Sequence, residues 1–344
     1  MPTSSFDTFF ACTIIVAAAL IGMAFLSSTM QTRIASTQDI NKDSYLKAIA
    51  DRIVTNTGSP VDWGTSSALP VDFGLAPDRS HSDYELDLDK ICRLNNLNNY
   101  SLSYLDLSKA AQLDMALGIK LSQLMTVKII QSSNSTIGTD TSFTFQISAN
   151  IDSKPTSASL HCYFAADTYL TEVNGSIPDN GIGQVTIQIP TSETKNAMLI
   201  AFARASIDDR VTSYAIYNFA HSTQESIPSS TDLALSPLDY TLRLNDTSLR
   251  FLNGYVFAYS YQHNLSSFEG SQVAIPKLLD KSPIVLFVEG INGTNHFQEW
   301  TVYPQIPLKI GANFDSSEQN IFSYMVTIEG VLYRLDLSLG DLPR

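Results

Sequence analysis

Apolar and polar residues alternate from Phe143 to Ala149, in the order Phe-Thr-Phe-Gln-Ile-Ser-Ala. Successive side chains of a strand point to opposite faces, so this order predicts a strand with one buried face. Similar alternation or an apolar run of strand length recurs at residues 160–164, 185–189, 197–204 and 213–220. Because turn residues separate these short segments, we predict an immunoglobulin-like β-sandwich.

The segments around this sandwich differ in composition. A stretch rich in Ser, Thr and Pro follows it, and beyond that stretch the pattern of short strands resumes. Before it lies a stretch of turns and short helical patterns, preceded by one long helical pattern. The predicted organisation is a helix over 1–57, an irregular segment with short helices over 58–118, the β-sandwich over 119–222, a linker over 223–237 and a second β-rich domain over 238–344.

The N-terminal helical pattern has two halves. No charged residue occurs from Thr8 to Thr32, which is long enough to cross a bilayer. The pattern over 34–53 is amphipathic, and a Gly-Ser-Pro sequence at 58–60 ends it. A cleaved signal peptide is the alternative, but no Lys or Arg precedes the apolar run. We therefore predict a mainly β protein with a long, uncleaved N-terminal transmembrane helix.

The orientation of this helix is predicted from conflicting signals. Arg33, Lys42 and Lys47 follow the apolar run, and the positive-inside rule alone places the following chain in the cytoplasm. The composition of the β-rich part favours the other side, because it is rich in Ser, Thr and Asn. Six N-x-S/T sequons occur after the apolar run, at Asn99, Asn134, Asn174, Asn245, Asn264 and Asn292. We expect a single-pass protein of the cell membrane whose large C-terminal part is extracellular and glycosylated at these asparagines.

Charge and cysteine content narrow the function classes. With 21 Lys and Arg against 34 Asp and Glu, the formal net charge is -13, which argues against nucleic-acid binding. There are three cysteines, one of which, Cys12, lies in the apolar run. Cys92 and Cys162 could form a disulfide, although two buried free thiols are the favoured alternative.

Motifs that would identify a reaction are missing from the sequence. The five histidines are far apart, so no pair has the spacing of a zinc motif. There is no G-x-S-x-G nucleophile elbow. Glu85, Asp87 and Asp89 alternate with leucines and could hold calcium on one face, but a solvated acidic face is favoured. We expect no enzymatic activity, no cofactor and no metal.

Aromatic residues offer two further candidates. Tyr255, Tyr259 and Tyr261 recur at even spacing and could line a sugar-binding or protein-binding face, or pack across strands. Trp63 and Phe73 lie in turn-rich chain and are expected to pin it onto a core, with ligand stacking as the alternative.

The opening of the chain, Ser-Phe-Asp-Thr-Phe-Phe at residues 5–10 followed by an apolar helix, resembles archaeal type IV pilin-like surface proteins. The resemblance covers about the first 95 residues. It implies that Asp7 occupies the acidic position near the start of the helix and that the helix enters a filament core or an anchor. It also implies a β-rich, often glycosylated head. The filament or anchor candidates are Phe9, Phe10, Ile14, Ile15, Leu20 and Phe25.

The expected function is therefore structural: a membrane-anchored extracellular subunit of a pilin-like surface or filament. Its partners would be the membrane, further copies of the chain or other surface proteins. A surface adhesin or a ligand-binding receptor ectodomain is the alternative, and an extracellular enzyme is a third.

Overall fold

The protein was analysed as a computed structural model, which separates the chain into two compact units, Met1–Asp51 and Arg52–Arg344. It describes residues 3–80, 82–166, 169–193, 197–219, 233–236, 238–245, 249–265, 268–276, 280–293, 295–312, 314 and 319–340. Within these ranges, the side chains of residues 3–8, 11, 29, 31–41, 292, 295 and 296 are outside the description.

The described residues form three helices and 19 strands, so the expectation of a mainly β protein is confirmed. The helices are α1 (Thr3–Thr55), α2 (Leu88–Cys92) and α3 (Tyr104–Ala111). The strands are β1 (Ala116–Gln123), β2 (Met125–Ile137), β3 (Asp140–Ile151), β4 (Lys154–Pro155), β5 (Ala158–Ala165), β6 (Leu170–Ile177), β7 (Ile182–Pro190), β8 (Ala197–Ala205), β9 (Thr212–Phe219), β10 (Leu233–Ser236), β11 (Thr241–Leu244), β12 (Leu249–Phe257), β13 (Gln262–Asn264), β14 (Gln272–Ala274), β15 (Ile284–Asn292), β16 (Asn295–Tyr303), β17 (Leu308–Gly311), β18 (Gln319–Ile328) and β19 (Val331–Gly340).

Helix α1 is 53 residues long and matches the helical part of the sequence prediction. Its predicted membrane crossing is wrong. Among the residues that the structure describes, no helix combines the length and the apolar character that a bilayer crossing requires. The prediction was drawn from the absence of charge, yet the same run carries hydroxyl side chains, including Thr13 and Ser28, which donate to helix carbonyls. The single-pass membrane location depended on that crossing, and it is wrong as well.

A two-sheet sandwich is built from strands β2 to β9. In one sheet, β3 pairs with β2, with β7 and with the short β4. The other sheet has the order β6-β5-β8-β9. Their facing surfaces form one apolar core that includes Phe145, Cys162, Ile187 and Leu199. Burial alternates along β3, as the sequence pattern predicted, because every second side chain enters this core.

A second sandwich is built from strands β10 to β16. The sheet β10-β11-β14 faces the sheet β13-β12-β15-β16 across a core that includes Leu242, Val256, Leu286 and Cys92. Strand β10 lies within the stretch predicted as a linker, of which residues 223–232 lie outside the described residues. This strand, Leu-Ala-Leu-Ser, is too short for its sequence to show the alternation of apolar and polar residues that predicts a strand.

A third sheet, of order β17-β1-β19-β18, joins the two ends of the Arg52–Arg344 unit. Strand β1 precedes the first sandwich and pairs with β19 near the C-terminus along its whole length. The last strands of the chain therefore do not pair with the second sandwich, which sequence spacing alone could not indicate. Glu329 and Gly330 both have positive φ and form the tight turn predicted between β18 and β19.

The two sandwiches pack against each other through an aromatic and aliphatic cluster. Tyr163 and Phe202 come from the first sandwich, and Phe257 and Phe287 come from the second. All four are buried, and the Tyr163 and Phe257 ring centroids are 5.0 Å apart. This contact positions the polar groups at the rim of the seam between the sandwiches.

Candidate functional site

An exposed apolar surface covers the N-terminal half of α1. Its large side chains have exposed fractions from 57 to 70%. They are Phe9, Phe10, Ile14, Ile15, Val16, Leu20, Ile21, Met23, Phe25, Leu26 and Met30. This set includes the six apolar filament or anchor candidates. The candidate Asp7 lies in α1, but its side chain lies outside the described residues.

These side chains surround the helix and do not form one stripe. Consecutive residues of a helix differ in direction by about 100°, and Ile14, Ile15 and Val16 are all exposed. Between them runs a shallow groove of about 290 Å³ lined by Phe9, Cys12, Thr13, Val16, Ala17 and Leu20. A surface that is apolar on every side requires partners on more than one side to leave water.

A second group of side chains lies at the seam between the sandwiches. The guanidinium carbon of Arg204 in β8 is 3.9 Å from the ring centroid of Tyr259, which follows β12. Arg204 also forms an ion pair with Asp280, with 3.1 Å between Nη2 and Oδ1. The hydroxyl oxygens of Ser159 and Tyr259 are 2.6 Å apart. These contacts fix the edge of the seam.

His161 extends this group along β5. Its ring stacks on Tyr163 with 4.5 Å between centroids, and its Nε2 is 3.3 Å from Glu172 Oε2. The Tyr163 hydroxyl is buried and has no hydrogen-bond partner among the described residues. Burial, and next the charge of Glu172, raise the pKa of Tyr163 well above its usual range. Cys162 lies in the sandwich core on the opposite side of β5, so it forms no pair with His161.

The three predicted tyrosines do not form one face. Tyr255 lies in β12 and stacks near Phe257 and Phe287, with centroid distances of 6.0 and 6.5 Å. Tyr259 and Tyr261 follow the end of the strand, and Tyr259 turns toward Arg204. Cross-strand packing therefore explains the position of the Tyr255 ring, and contacts at the seam between the sandwiches explain that of the Tyr259 ring.

Trp63 is completely buried, which leaves its ring no surface for a ligand. Its Nε1–H donates to the Gly74 carbonyl at 3.1 Å. Two cations flank the ring, because Lys90 Nζ and Arg93 Cζ are each 5.8 Å from its centroid. Both cations are buried, and burial lowers the pKa of each.

Backbone carbonyls receive the hydrogen bonds of these buried cations. Lys90 donates to Thr57 at 2.8 Å and to Ala76 at 2.6 Å. Arg93 donates to the carbonyls of Trp63, Ser66, Ala68 and Tyr100. The cations thus hold together the turn-rich chain after α1. Sequence reasoning missed this role, since a Lys and an Arg in a short helix give no signal of burial.

Two of the three alternating carboxylates, for which calcium binding was the less favoured alternative, make structural contacts. Asp87 caps α2 by accepting from the Lys90 backbone N–H at 3.0 Å. Asp89 accepts from the Tyr240 hydroxyl at 2.9 Å. Within the part of the chain that the structure describes, no group of three or more His, Cys, Asp or Glu side chains could hold a metal ion.

The three cysteines are free thiols. Cys92 lies in the core of the second sandwich and Cys162 in the core of the first, so they do not form a disulfide. Cys12 is exposed on α1. Nothing in the described residues points to enzymatic activity.

The sequons differ in exposure. Asn134, Asn174, Asn245 and Asn264 are exposed, and Asn99 is half-buried. The Asn292 side chain lies outside the described residues.

Comparisons with known proteins leave the chain without a family. No family model matches it, and no curated protein is similar to it. Among solved structures, HBP35 of Porphyromonas gingivalis is similar over 56% of this chain, with 12% sequence identity and a TM-score of 0.18. The match spans 64% of the HBP35 chain, less than two thirds of its length. A TM-score of this size is too low to indicate a common fold.

Proposed function

We propose that this protein is a structural subunit that assembles with copies of itself through the N-terminal half of α1. The observation that carries the proposal is the exposure of large apolar side chains on all sides of the helix from Phe9 to Met30. Monomeric soluble proteins rarely expose a contiguous apolar surface of this extent, and such surfaces mark interaction sites.

The size of the surface supports a protein interface. An aromatic side chain can bury 150–250 Å², and Phe9, Phe10 and Phe25 are 64–70% exposed. These three rings alone offer about 300–500 Å², whereas a standard interface buries about 800 Å² per partner. The eight aliphatic and methionine side chains of the same surface supply the remaining area.

Further copies of the chain suit this surface better than one globular partner. A groove on another protein covers one side of a helix, but here the apolar residues face every side. A bundle of like helices covers every side at once. No charged residue occurs from Thr8 to Thr32, so copies aligned in register bring no like charges together. Gly22 adds a position where helices can approach closely, because glycine has no side chain.

The β-rich unit is then the part that each subunit presents outside the helical contact. This division of roles agrees with the resemblance of the first residues to type IV pilin-like proteins. It requires no catalytic group.

Sedimentation velocity of the purified full-length chain tests the proposal. We compare the natural chain with a triple variant, Ile14→Gln, Ile15→Gln and Leu20→Gln. The matched control makes the same chemical change at three exposed apolar positions elsewhere, Leu69→Gln, Leu105→Gln and Ile130→Gln, which are 57 to 61% exposed.

We expect the natural chain and the control to form oligomers of defined size, whose fraction rises with chain concentration. The helix variant should sediment as a monomer. All three should have similar unfolding free energies, because every substitution is at an exposed site. A monomeric natural chain, or equal assembly of the helix variant, would contradict the proposal.

A further inference from the structure

A pocket of about 210 Å³ lies on the sheet β17-β1-β19-β18. It is half open to solvent, and both charged and aromatic side chains line it. The residues that matter for its chemistry are Lys120, Lys309, Phe314, Gln319, Asp336 and Ser338. This pocket is separate from the seam between the sandwiches and belongs to the Arg52–Arg344 unit.

Two lysines of the pocket face each other across neighbouring strands. Lys120 of β1 is directly opposite Lys309 of β17 in the antiparallel register, and both are exposed. Like charges at directly opposite positions destabilise a sheet. Within the part of the chain that the structure describes, neither lysine has an ion pair or a side-chain hydrogen bond.

The carboxylate of Asp336 also lines the pocket, but within the described residues it forms no ion pair with either lysine. Asp336 of β19 is opposite Lys120 on its other side. Its Oδ1 accepts a hydrogen bond from the hydroxyl of Ser323 at 2.7 Å, and Ser323 lies on β18, the strand farther from the lysines. The positive charge of the lysine pair is therefore available to an anion from outside.

Gly118 lets the chain after β17 lie close to β1. A Cβ at this position would lie 3.2 Å from the Ala312 carbonyl oxygen and 3.4 Å from a ring carbon of Phe314. Gly118 is not among the residues with positive φ, so its backbone conformation does not require glycine. The missing side chain instead lets the Phe314 ring, which forms a wall of the pocket, lie against β1.

We propose that this pocket binds one acidic sugar unit, with the ammonium groups of Lys120 and Lys309 holding its carboxylate. A water molecule occupies about 30 Å³ of liquid, so the pocket has the volume of about seven waters, more than a lone carboxylate fills. The side chains of Gln319 and Ser338 can donate to and accept from hydroxyl groups. The Phe314 ring supplies an apolar wall for the carbon face of a sugar ring. Because half of the pocket is open, the sugar can be one unit of a longer polymer.

Chemical footprinting of lysines in the full-length chain tests this proposal. The probe is glucuronate in low-salt buffer, and the rate of reductive methylation of each lysine is measured by mass spectrometry. Lys128, exposed on β2 and outside the pocket, is the control within the same molecule.

We expect glucuronate to slow the methylation of Lys120 and Lys309 several-fold and to leave Lys128 unchanged. Glucose and acetate at the same concentration should leave all three rates unchanged. Unchanged rates at Lys120 and Lys309 with glucuronate would overturn the proposal. Equal protection by acetate would also overturn it, since the site would then recognise an anion without a sugar.

Variants separate binding from a structural role. We expect Lys120→Gln, Lys309→Gln and Gly118→Ala each to weaken glucuronate binding about tenfold in ligand-observed NMR, and Lys128→Gln to have no effect. Each lysine variant should keep or raise the melting temperature, because it removes a like-charge contact. A lysine variant that binds normally, or one that loses binding together with a lowered melting temperature, would contradict the proposal. Failure of the self-assembly proposal would leave these results unaffected, because no residue of α1 lines the pocket.

Discussion

The guanidinium of Arg204 lies 3.9 Å from the centre of the Tyr259 ring and joins β8 of the first sandwich to the turn after β12 of the second. The same Arg204 forms an ion pair with Asp280, and both side chains are largely buried, with 22 and 13% exposed. The guanidinium of Arg204 therefore closes the rim of the seam between the sandwiches by contacting both Tyr259 and Asp280.

Removal of this cation should weaken the whole Arg52–Arg344 unit. We expect Arg204→Ala to lower the free energy of unfolding by about 2 kcal/mol, because a desolvated cation–π contact and a partly buried ion pair are lost together. Arg210→Ala is the matched control, since Arg210 is half-exposed and pairs with Asp208, two residues away. Urea unfolding should show no measurable effect for Arg210→Ala. Equal effects of the two variants would show that the seam contact contributes nothing.

The buried cations next to Trp63 make a second prediction. We expect Arg93→Met to lower the free energy of unfolding by about 3–5 kcal/mol, because four carbonyls, one buried and three partly buried, would lose their charged donor. Lys90→Met should cost about 2–3 kcal/mol for the same reason at two carbonyls. The exposed Lys128→Met provides the control in the same urea series. Costs no larger than that of the control would mean that the carbonyls find other donors.

Buried tyrosines predict how stability depends on pH. Burial is the largest cause that raises the pKa of Tyr163, Tyr214, Tyr240, Tyr303 and Tyr333 above its usual range. In the unfolded chain these phenols lose their protons near pH 10, whereas the folded chain keeps them. The folded state then binds more protons, so the stability that is fully present below about pH 10 is lost as pH rises further.

Absorbance of tyrosinate during an alkaline titration measures this effect. We expect these five phenols to ionise only together with the loss of near-ultraviolet circular dichroism. The chain in guanidinium chloride, as the reference, should titrate in one phase near pH 10. A single phase near pH 10 in the native chain, with the fold intact, would be inconsistent with the buried environments.

The cysteines should differ sharply in reactivity. Burial raises the pKa of the Cys162 thiol to about 12, and burial also raises the pKa of Cys92. A protonated, buried thiol is a poor nucleophile, so a maleimide at neutral pH should label only Cys12 in the dilute native chain. Peptide mapping after labelling checks this, and all three should react after unfolding. Rapid native labelling of Cys92 or Cys162 would contradict the burial of that residue.

Local patterns in the sequence predicted local structure well. The alternating segment from Phe143 to Ala149 lies within β3. The predicted N-terminal helix, over 1–57, ends two residues beyond the end of α1 at Thr55. In both cases each residue's environment follows from neighbours a few positions away. Within the segment predicted to hold short helices, α3 ends at Ala111, because Gln112 adopts a left-handed conformation there.

Relationships between distant residues could not be predicted in this way. The pairing of β1 with β19, and hence the pocket that contains Lys120 and Lys309, joins segments separated by about 200 residues. The membrane crossing failed for a different reason, because the absence of charge was taken as sufficient evidence of a span. The six apolar candidates on α1 are exposed, and their role in a filament or an anchor stays a prediction.

The central claim is that copies of α1 contact each other, and Cys12 gives a direct measurement of such a contact. It is exposed on the apolar part of the helix, whereas Cys92 and Cys162 are buried. We would treat the assembled full-length chain with a short bismaleimide and separate the products on a denaturing gel. Cys12→Ser serves as the negative control, and Thr13→Cys in that background places the thiol about 100° around the helix.

The account predicts a covalent dimer that requires Cys12 and that also forms through Thr13→Cys, because copies of the helix contact it on every side. No dimer at any chain concentration would contradict the claim that α1 joins the subunits. Equal dimer from an exposed cysteine outside the helix, Leu69→Cys in the Cys12→Ser background, would show unspecific clustering and would contradict it as well.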